Sequence, residues 1–430
     1  MRSILAKLRS NGFIKSLIVL ISGSVFAQLI TIICSPFMTR LYSTEQIGDY
    51  SLVLAAIGMF GSVIALRLDA IIVSEKDDDR VFGLVKLCFV LSAIISVIVG
   101  AAYAIYYWIT SYSLSQIIIC SISICFLLFL TGISNTLISY NNRKKEYNLM
   151  SGVSVIRSIV KEVVMLLAFF LGPSVFLLII SQILGTIFGV SKQAKSLKRD
   201  SDNYRKIVVI KKDFIFSIFK SEYKQVLFSS PALFVNNFSY SSINYFIKGL
   251  YGSSVLGLYS ISYKLLGLPM SLISMNASKV YMEKATSEYH SKNNYRSTFT
   301  RTAAFLLAIS VPMTIIIMVF SPFACKMVYG DEYYYAGIYV RYLAPMFGIR
   351  FIVSPLTVGC IISKKQNNEL ILQSAFMLSG IVSFLVSKFF GLSVGNYLVL
   401  ISALYSIVYV VYFIYLFHIS KGNVKTIDRD

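Results

Sequence analysis

Charge is what this chain has least of. Only 14% of its 430 residues are Asp, Glu, Lys or Arg, and acids are the scarcer sign, 20 against 40 bases. A soluble domain carries about a quarter charged residues. With 56% apolar residues and a mean hydropathy of +0.72, the chain reads instead as a polytopic membrane protein. Histidine is nearly missing: His290 and His418 stand 128 residues apart, too isolated to build a triad or a metal cluster. The six cysteines, Cys34, Cys88, Cys120, Cys125, Cys325 and Cys360, show no Cys-x-x-Cys spacing and sit in or beside apolar runs. They read as buried apolar side chains rather than disulfides or metal ligands. Long polar stretches are also rare. Only one connection, Ser191 to Gln225, is both long and polar, and the longest outer loop runs only from Ser321 to Gly337, so function has to reside within the membrane. In a soluble chain the excess of bases would suggest nucleic acid; here it fits basic cytoplasmic loops and an anionic cargo, with no nucleic-acid partner and no cofactor expected.

What the sequence has is apolar runs of about twenty residues. Twelve are legible: Ser16 to Pro36, Tyr50 to Val73, Leu87 to Trp108, Leu114 to Ile138, Val153 to Leu171 and Val175 to Val190, then Val226 to Ile247, Leu256 to Val280, Thr302 to Phe320, Ile338 to Ile362, Leu370 to Phe390 and Val394 to Phe417. Arg2, Lys7, Arg9 and Lys15 precede the first in the outline of a signal sequence. No small-x-small cleavage site follows, and Ile33 before Cys34 does not suit lipoprotein processing, so an uncleaved first helix is expected. Bases collect in alternate loops: Arg143, Lys144 and Lys145; Lys192 through Lys212; Lys284, Lys292, Arg296 and Arg301; Lys364 and Lys365. By the positive-inside rule both termini are then cytoplasmic, with Glu75 to Arg80 as one acidic exception. Residues 1–191 form an N-terminal six-helix bundle in this reading, 192–225 a basic cytoplasmic linker, and 226–430 a C-terminal six-helix bundle.

The halves share a signature. Tyr42-Ser43-Thr44-Glu45-Gln46-Ile47-Gly48-Asp49-Tyr50-Ser51 lies over Tyr251-Gly252-Ser253-Ser254-Val255-Leu256-Gly257-Leu258-Tyr259-Ser260 without a gap, at an offset of 209 residues. Each copy falls between two apolar runs, so each reads as a turn between membrane helices, with the shared glycine supplying the bend. A duplicated bundle points to a transporter.

Ionisable residues inside spans cost roughly 2.5 to 3.5 kcal/mol each at the bilayer centre, so each needs a reason. The first half holds Arg67 and Asp69 in span two and Arg157, Lys161 and Glu162 in span five; the second holds Lys264 in span eight and Arg341 and Arg350 in span ten. Arg157 and Lys161, four apart, share a helix face and repel each other unless it meets water or an anion. Alternatively Arg157 snorkels and Glu162 pairs with a base on another helix. Arg350 lies deep enough to line a cavity, while Arg341 is interfacial. Asp69 and Glu162 are the carboxylates that could couple transport to a proton or sodium ion, although Arg67 and Asp69 also suit a structural ion pair near the cytoplasmic end of span two.

Among neutral groups, Gln28 aligns with Asn237, and Asn236, Asn237 and Asn244 with Ser239, Ser241 and Ser242 make span seven polar. Such groups bond between helices or line a sugar path. Pro231, Pro345 and Pro355 can kink their spans. Tyrosines at span ends, such as Tyr106, Tyr107, Tyr333, Tyr334 and Tyr335, read as the interfacial belt.

Taken together, the turn at Tyr42 to Ser51, Leu66-Arg67-Leu68-Asp69-Ala70-Ile71-Ile72-Val73, Asn142-Arg143-Lys144-Lys145-Glu146-Tyr147, Leu256-Gly257-Leu258-Tyr259-Ser260, and Tyr329-Gly330-Asp331-Glu332-Tyr333 with Ala336 resemble the polysaccharide flippases of the multidrug/oligosaccharidyl-lipid/polysaccharide superfamily. The resemblance spreads from about Ser16 to Ile362. It implies an all-α membrane protein, two pseudo-symmetric six-helix bundles in a V around a cation-lined cavity, and alternating access in the bacterial inner membrane. The implied cargo is an undecaprenyl-pyrophosphate-linked oligosaccharide, an O-antigen unit, whose pyrophosphate would meet Arg67, Arg157, Lys161, Lys264 and Arg350, with Gln28, Asn237 and Asn244 on the polar path. Other polysaccharide-assembly proteins would be partners. The family's seventh span often carries an acid near the position of Asn244, so the coupling ion is open. A multidrug or small-cation antiporter on the same fold would favour intramembrane acids. A membrane polymerase or glycosyltransferase would need an extramembrane site that no loop here can house.

Overall fold

The computed structural model describes residues 12–110, 113–199, 209–210, 212–223, 225–269, 273–363 and 365–422. Arg2, Lys7 and Arg9, part of the basic linker (Arg205, Lys206 and Lys211 among it) and Lys364 lie outside the described residues. The protein is all-α. Eight helices among the described residues are long and apolar enough to cross a membrane. The helices are α1 (Gly12–Leu41), α2 (Thr44–Phe60), α3 (Asp78–Ile109), α4 (Leu114–Arg143), α5 (Tyr147–Leu166), α6 (Val175–Lys198), α7 (Lys212–Ser221), α8 (Ser230–Tyr251), α9 (Ser253–Pro269), α10 (Met275–Lys292), α11 (Arg296–Tyr329), α12 (Tyr334–Leu356), α13 (Gln366–Phe390) and α14 (Val394–Ser420).

By its contacts the chain divides into Met1–Asn237 and Phe238–Asp430. In the first unit α5 packs between α1 and α6, and α4 packs against α3 and α6. In the second, α12 is the hub, packing against α9, α11 and α14.

The duplicated signature marks a helix start in both copies: Thr44 and Ser253, which open α2 and α9, stand 209 residues apart. The signature's first tyrosine does the same work in both copies: the Tyr42 hydroxyl donates to the Met165 carbonyl and the Tyr251 hydroxyl to the Leu392 carbonyl, both at 2.9 Å. The shared glycine does not make the bend. Gly48 and Gly257 are buried inside α2 and α9, and the turn lies earlier. It is set in the first copy by a capping box between Ser43 and Gln46, and in the second by Gly252 at φ +86°.

Span two does not run as one helix to Val73. α2 stops at Phe60, residues 61–67 form turns, and Leu68–Val73 is a 3₁₀ segment. Leu66 and Arg67 both hold positive φ, 51° and 63°, a conformation costing roughly 1 to 3 kcal/mol for a side chain with Cβ. The break survives because its neighbours pay in contacts. The Asn135 amide of α4 donates to the Gly61 carbonyl at 2.9 Å, and Ala65, Leu68 and Ile72 are buried among Val81, Val85 and Leu137. Hydropathy stays high across 61–73, so the sequence pattern alone ran on through the break.

Prolines within the helices free carbonyls four residues back, and in a bilayer these need partners. Pro36 frees Ile32, which receives the Ser35 hydroxyl at 2.7 Å. Pro322 frees Met318, which receives Arg341 Nε at 2.8 Å. Pro355 frees Phe351, which receives the Ser274 hydroxyl at 3.4 Å. Pro231, by contrast, stands second in α8, directly after a π-helical turn at Gln225–Ser229.

Candidate functional site: intramembrane bases

The bases fall into separate settings. In the first unit Arg157, Lys161 and Glu162 lie on α5, against α6. Gly185 and Gly189 on α6 make room for them: a Cβ at Gly185 would stand 2.8 Å from the Arg157 carbonyl and 3.0 Å from Lys161 Cβ. Lys161 Nζ lies 3.1 Å from Glu162 Oε1, so the carboxylate pairs with its own neighbour in the chain rather than with another helix. Glu162 is buried and Oε1 makes no aligned hydrogen bond, which leaves charge as what holds the pair. The signature residue Tyr50 is buried within electrostatic range of Lys161, Glu162 and Arg157, and its hydroxyl meets Gln182 Oε1 at 3.3 Å. Arg157 is half-buried and has no carboxylate within ion-pair distance among the described residues.

Arg67 and Asp69 belong to the broken segment. Arg67 is half-buried, and its Nε is enclosed without a hydrogen-bond partner among the described residues. Asp69 interacts with Arg67 electrostatically but makes no direct ion pair with it among the described residues. The backbone that carries the two residues is a turn and a 3₁₀ segment rather than an α-helix.

The second unit centres on Arg350 of α12. Its guanidinium carbon sits 4.1 Å from the centroid of the Tyr240 ring and 5.6 Å from that of Phe347, and Nη1 donates to the Tyr263 hydroxyl at 3.1 Å. Around them, the Tyr240 and Tyr409 hydroxyls meet at 2.5 Å, Tyr405 donates to the Ser239 carbonyl at 2.5 Å, and the signature residue Tyr259 packs its ring 5.9 Å from Tyr263. Among the described residues no carboxylate pairs with Arg350. Aromatic faces and phenols hold the cation. An aromatic nest of this kind positions a guanidinium without neutralising it, so its charge stays available to an anion.

The remaining residues are placed more plainly. Lys264 is half-buried on α9 beside Tyr263, and Gln28 half-buried on α1. The Asn237 amide donates to the Ser62 hydroxyl, tying α8 to the broken segment. The Asn244 amide bonds the Ser241 carbonyl of its own helix at 3.1 Å. Arg341 is exposed and anchored to the Met318 carbonyl, a structural role.

Three features escaped the sequence pattern. Tyr107 and Tyr333, read as interfacial, are each 2% exposed, while Tyr334 and Tyr335 do face outward. Tyr405, Tyr409 and Tyr412, four and then three apart on α14, form a buried stripe whose helical spacing was a signal of packing. Asp49, which hydropathy left one residue outside span two, lies inside α2. It lines a cavity of about 160 Å³ with Tyr107, Gln116 and Cys120.

A long-helix, all-α architecture, with eight helices among the described residues apolar enough to cross a membrane, defines the chain as a multi-pass membrane protein. The sequence profile of the polysaccharide biosynthesis proteins matches residues 37–336, and the chain belongs to that family. Its fold is that of the superfamily joining multidrug exporters with lipid-linked oligosaccharide and polysaccharide flippases. The lipid II flippase MurJ in an inward closed conformation is 14% identical, with a TM-score of 0.69 over 95% of this chain and 88% of that one. A transporter of the same superfamily from Pyrococcus furiosus, described by a binding pocket of reversed polarity that suggests a different function, is 13% identical, with a TM-score of 0.61 over 95% and 97%. A multidrug-resistance MATE transporter in an inward-facing conformation is 14% identical, with a TM-score of 0.60 over 92% and 93%. No curated protein sequence matches the chain significantly. These solved transporters share the fold of this chain.

Proposed function

We propose that the protein is a flippase that moves an undecaprenyl-pyrophosphate-linked oligosaccharide, an O-antigen repeat unit, from the cytoplasmic to the periplasmic leaflet of a bacterial inner membrane by alternating access. The observation that carries this reading is Arg350, a cation inside a membrane helix, held by Tyr240 and Tyr263 with no carboxylate partner among the described residues. Arg157, Arg67 and Lys264 join it as pyrophosphate contacts, and Lys161 does so to the extent that Glu162 leaves it charge to share. Tyrosine faces such as Tyr240 suit a sugar ring as well as a guanidinium. Membership of the polysaccharide biosynthesis family supports the same cargo class. The reading includes twelve spans in two six-helix halves, 1–191 and 226–430, joined by a linker at 192–225, with both termini cytoplasmic. Asp69 and Glu162 are its ion-coupling candidates, and Asp49 joins them.

The test uses the purified protein in liposomes with a radiolabelled polyprenyl-pyrophosphate oligosaccharide, scored by the label's accessibility to an external glycosidase. Arg350→Met should abolish the time-dependent change in accessibility. Equal rates in empty and protein-containing liposomes would end the proposal. A second reading, export of a drug-like cation, is favoured by the likeness to multidrug exporters. It requires acids rather than bases to meet the cargo, so drug efflux that depends on Asp49 or Glu162 and ignores Arg350 would replace the first reading.

A further inference from the structure

The turn joining α10 to α11 brings two helices together along a groove of about 530 Å³ in the second unit. Its chemistry changes along its length, and both walls change in the same sense. Along one wall the chain passes from Ile273 through Val280 to Lys284 as it approaches the turn; along the other it leaves the turn through Arg301 and Thr302 to Phe305. Because the helices run in opposite directions from a short connection, both bases stand toward the turn and the large apolar side chains away from it. Ile273, Val280 and Phe305 are 38%, 52% and 62% exposed. Eleven residues separate Ile273 from Lys284, about 16 Å at the helical rise, close to half of a hydrocarbon core of ~30 Å.

The bases carry unspent charge. Neither Lys284 nor Arg301 forms an ion pair among the described residues. Of the two acids on α10, Glu283 is exposed and pairs with neither base among the described residues, and Glu288 is committed to the Thr298 amide and hydroxyl at 2.8 and 2.5 Å and to Lys292 at 4.0 Å. Among the described residues no acid lines the groove.

We propose that this groove binds one anionic phospholipid, its phosphate between Lys284 and Arg301 and an acyl chain along Val280, Ile273 and Phe305. Charge complementarity selects the headgroup and the apolar wall excludes a free ion, as expected of basic pockets between membrane helices. The site is independent of the cargo, so its failure leaves the flippase reading untouched.

The experiment is native mass spectrometry of the full-length protein with phosphatidylglycerol and phosphatidylcholine added in equal amounts. Phosphatidylglycerol should be retained preferentially, and Lys284→Gln with Arg301→Gln should lower its apparent affinity by ~10-fold or more. The exchange Lys284→Arg with Arg301→Lys should keep it. Phe305→Asp, which leaves both bases in place, should weaken retention from the apolar end and serves if the double Gln variant fails to fold. Equal retention of the two lipids, an unchanged affinity in both the Gln and Asp variants, displacement by inorganic phosphate, or displacement by polyprenyl phosphate would each overturn the proposal.

Discussion

Arg350 stacks on Tyr240, its guanidinium carbon 4.1 Å from the ring centroid, and no carboxylate among the described residues answers its charge. A cation held this way differs from one in a buried ion pair, because removing it orphans no opposite charge. Arg350→Met should therefore cost about 2 kcal/mol of stability, the scale of a desolvated cation–π contact. Transport should nevertheless fall by ten-fold or more. Thermal unfolding in detergent and the liposome assay measure the two separately; a collapse of stability with proportionate loss of activity would make Arg350 structural.

Arg341 has the opposite character. Its guanidinium pairs with the Met318 carbonyl that Pro322 leaves free. Arg341→Ala should destabilise by about 1 to 3 kcal/mol, the cost of an unpaired carbonyl in a membrane helix. Adding Pro322→Ala restores an amide at that position and should recover most of the loss. A double-mutant cycle on the melting temperature with no coupling would refute the pairing.

The α5–α6 contact depends on the lack of a side chain at Gly185. Gly185→Ala would place Cβ 2.8 Å from the Arg157 carbonyl, and should cost about 1 to 3 kcal/mol as overpacking. Gly249→Ala on α8 meets nothing within 4 Å and should be neutral or slightly stabilising, which makes it the control.

Glu288 caps α11. Burial works against its ionisation, but the Thr298 hydroxyl and amide, with Lys292, hold its carboxyl below the usual glutamate value. A depressed folded pKa contributes stability that is present above the unfolded value, near 4.3, and is lost as pH falls through the folded one. Melting temperature should thus drop on acidification below about pH 4.5, and Glu288→Gln should flatten that part of the profile. An unchanged profile in the variant would show that the cap carries no linkage.

Much of the architecture was legible because its signals are local. Apolar runs mark helices wherever the bilayer is the solvent, and the Tyr42 and Tyr251 signatures located two helix starts 209 residues apart. The intramembrane bases were legible for the same reason, since a charge in an apolar run stands out without knowledge of its neighbours. Their company was not. Tyr240, Tyr263 and Tyr409 come from three helices, and nothing in their spacing joins them to Arg350.

By itself, then, the sequence determined a multi-pass helical membrane protein with a repeated helix start and bases within its apolar runs, because hydropathy and a helix-start motif act over a few residues. Only the tertiary structure decided where α2 ends, which carbonyls freed by proline find donors, and which bases are neutralised. Those outcomes depend on Asn135 reaching Gly61, Arg341 reaching Met318 and Lys161 reaching Glu162. A hydrogen bond or ion pair is set by a distance of a few ångströms, and for the first two of these pairs the chain's own order leaves that distance open until the helices pack.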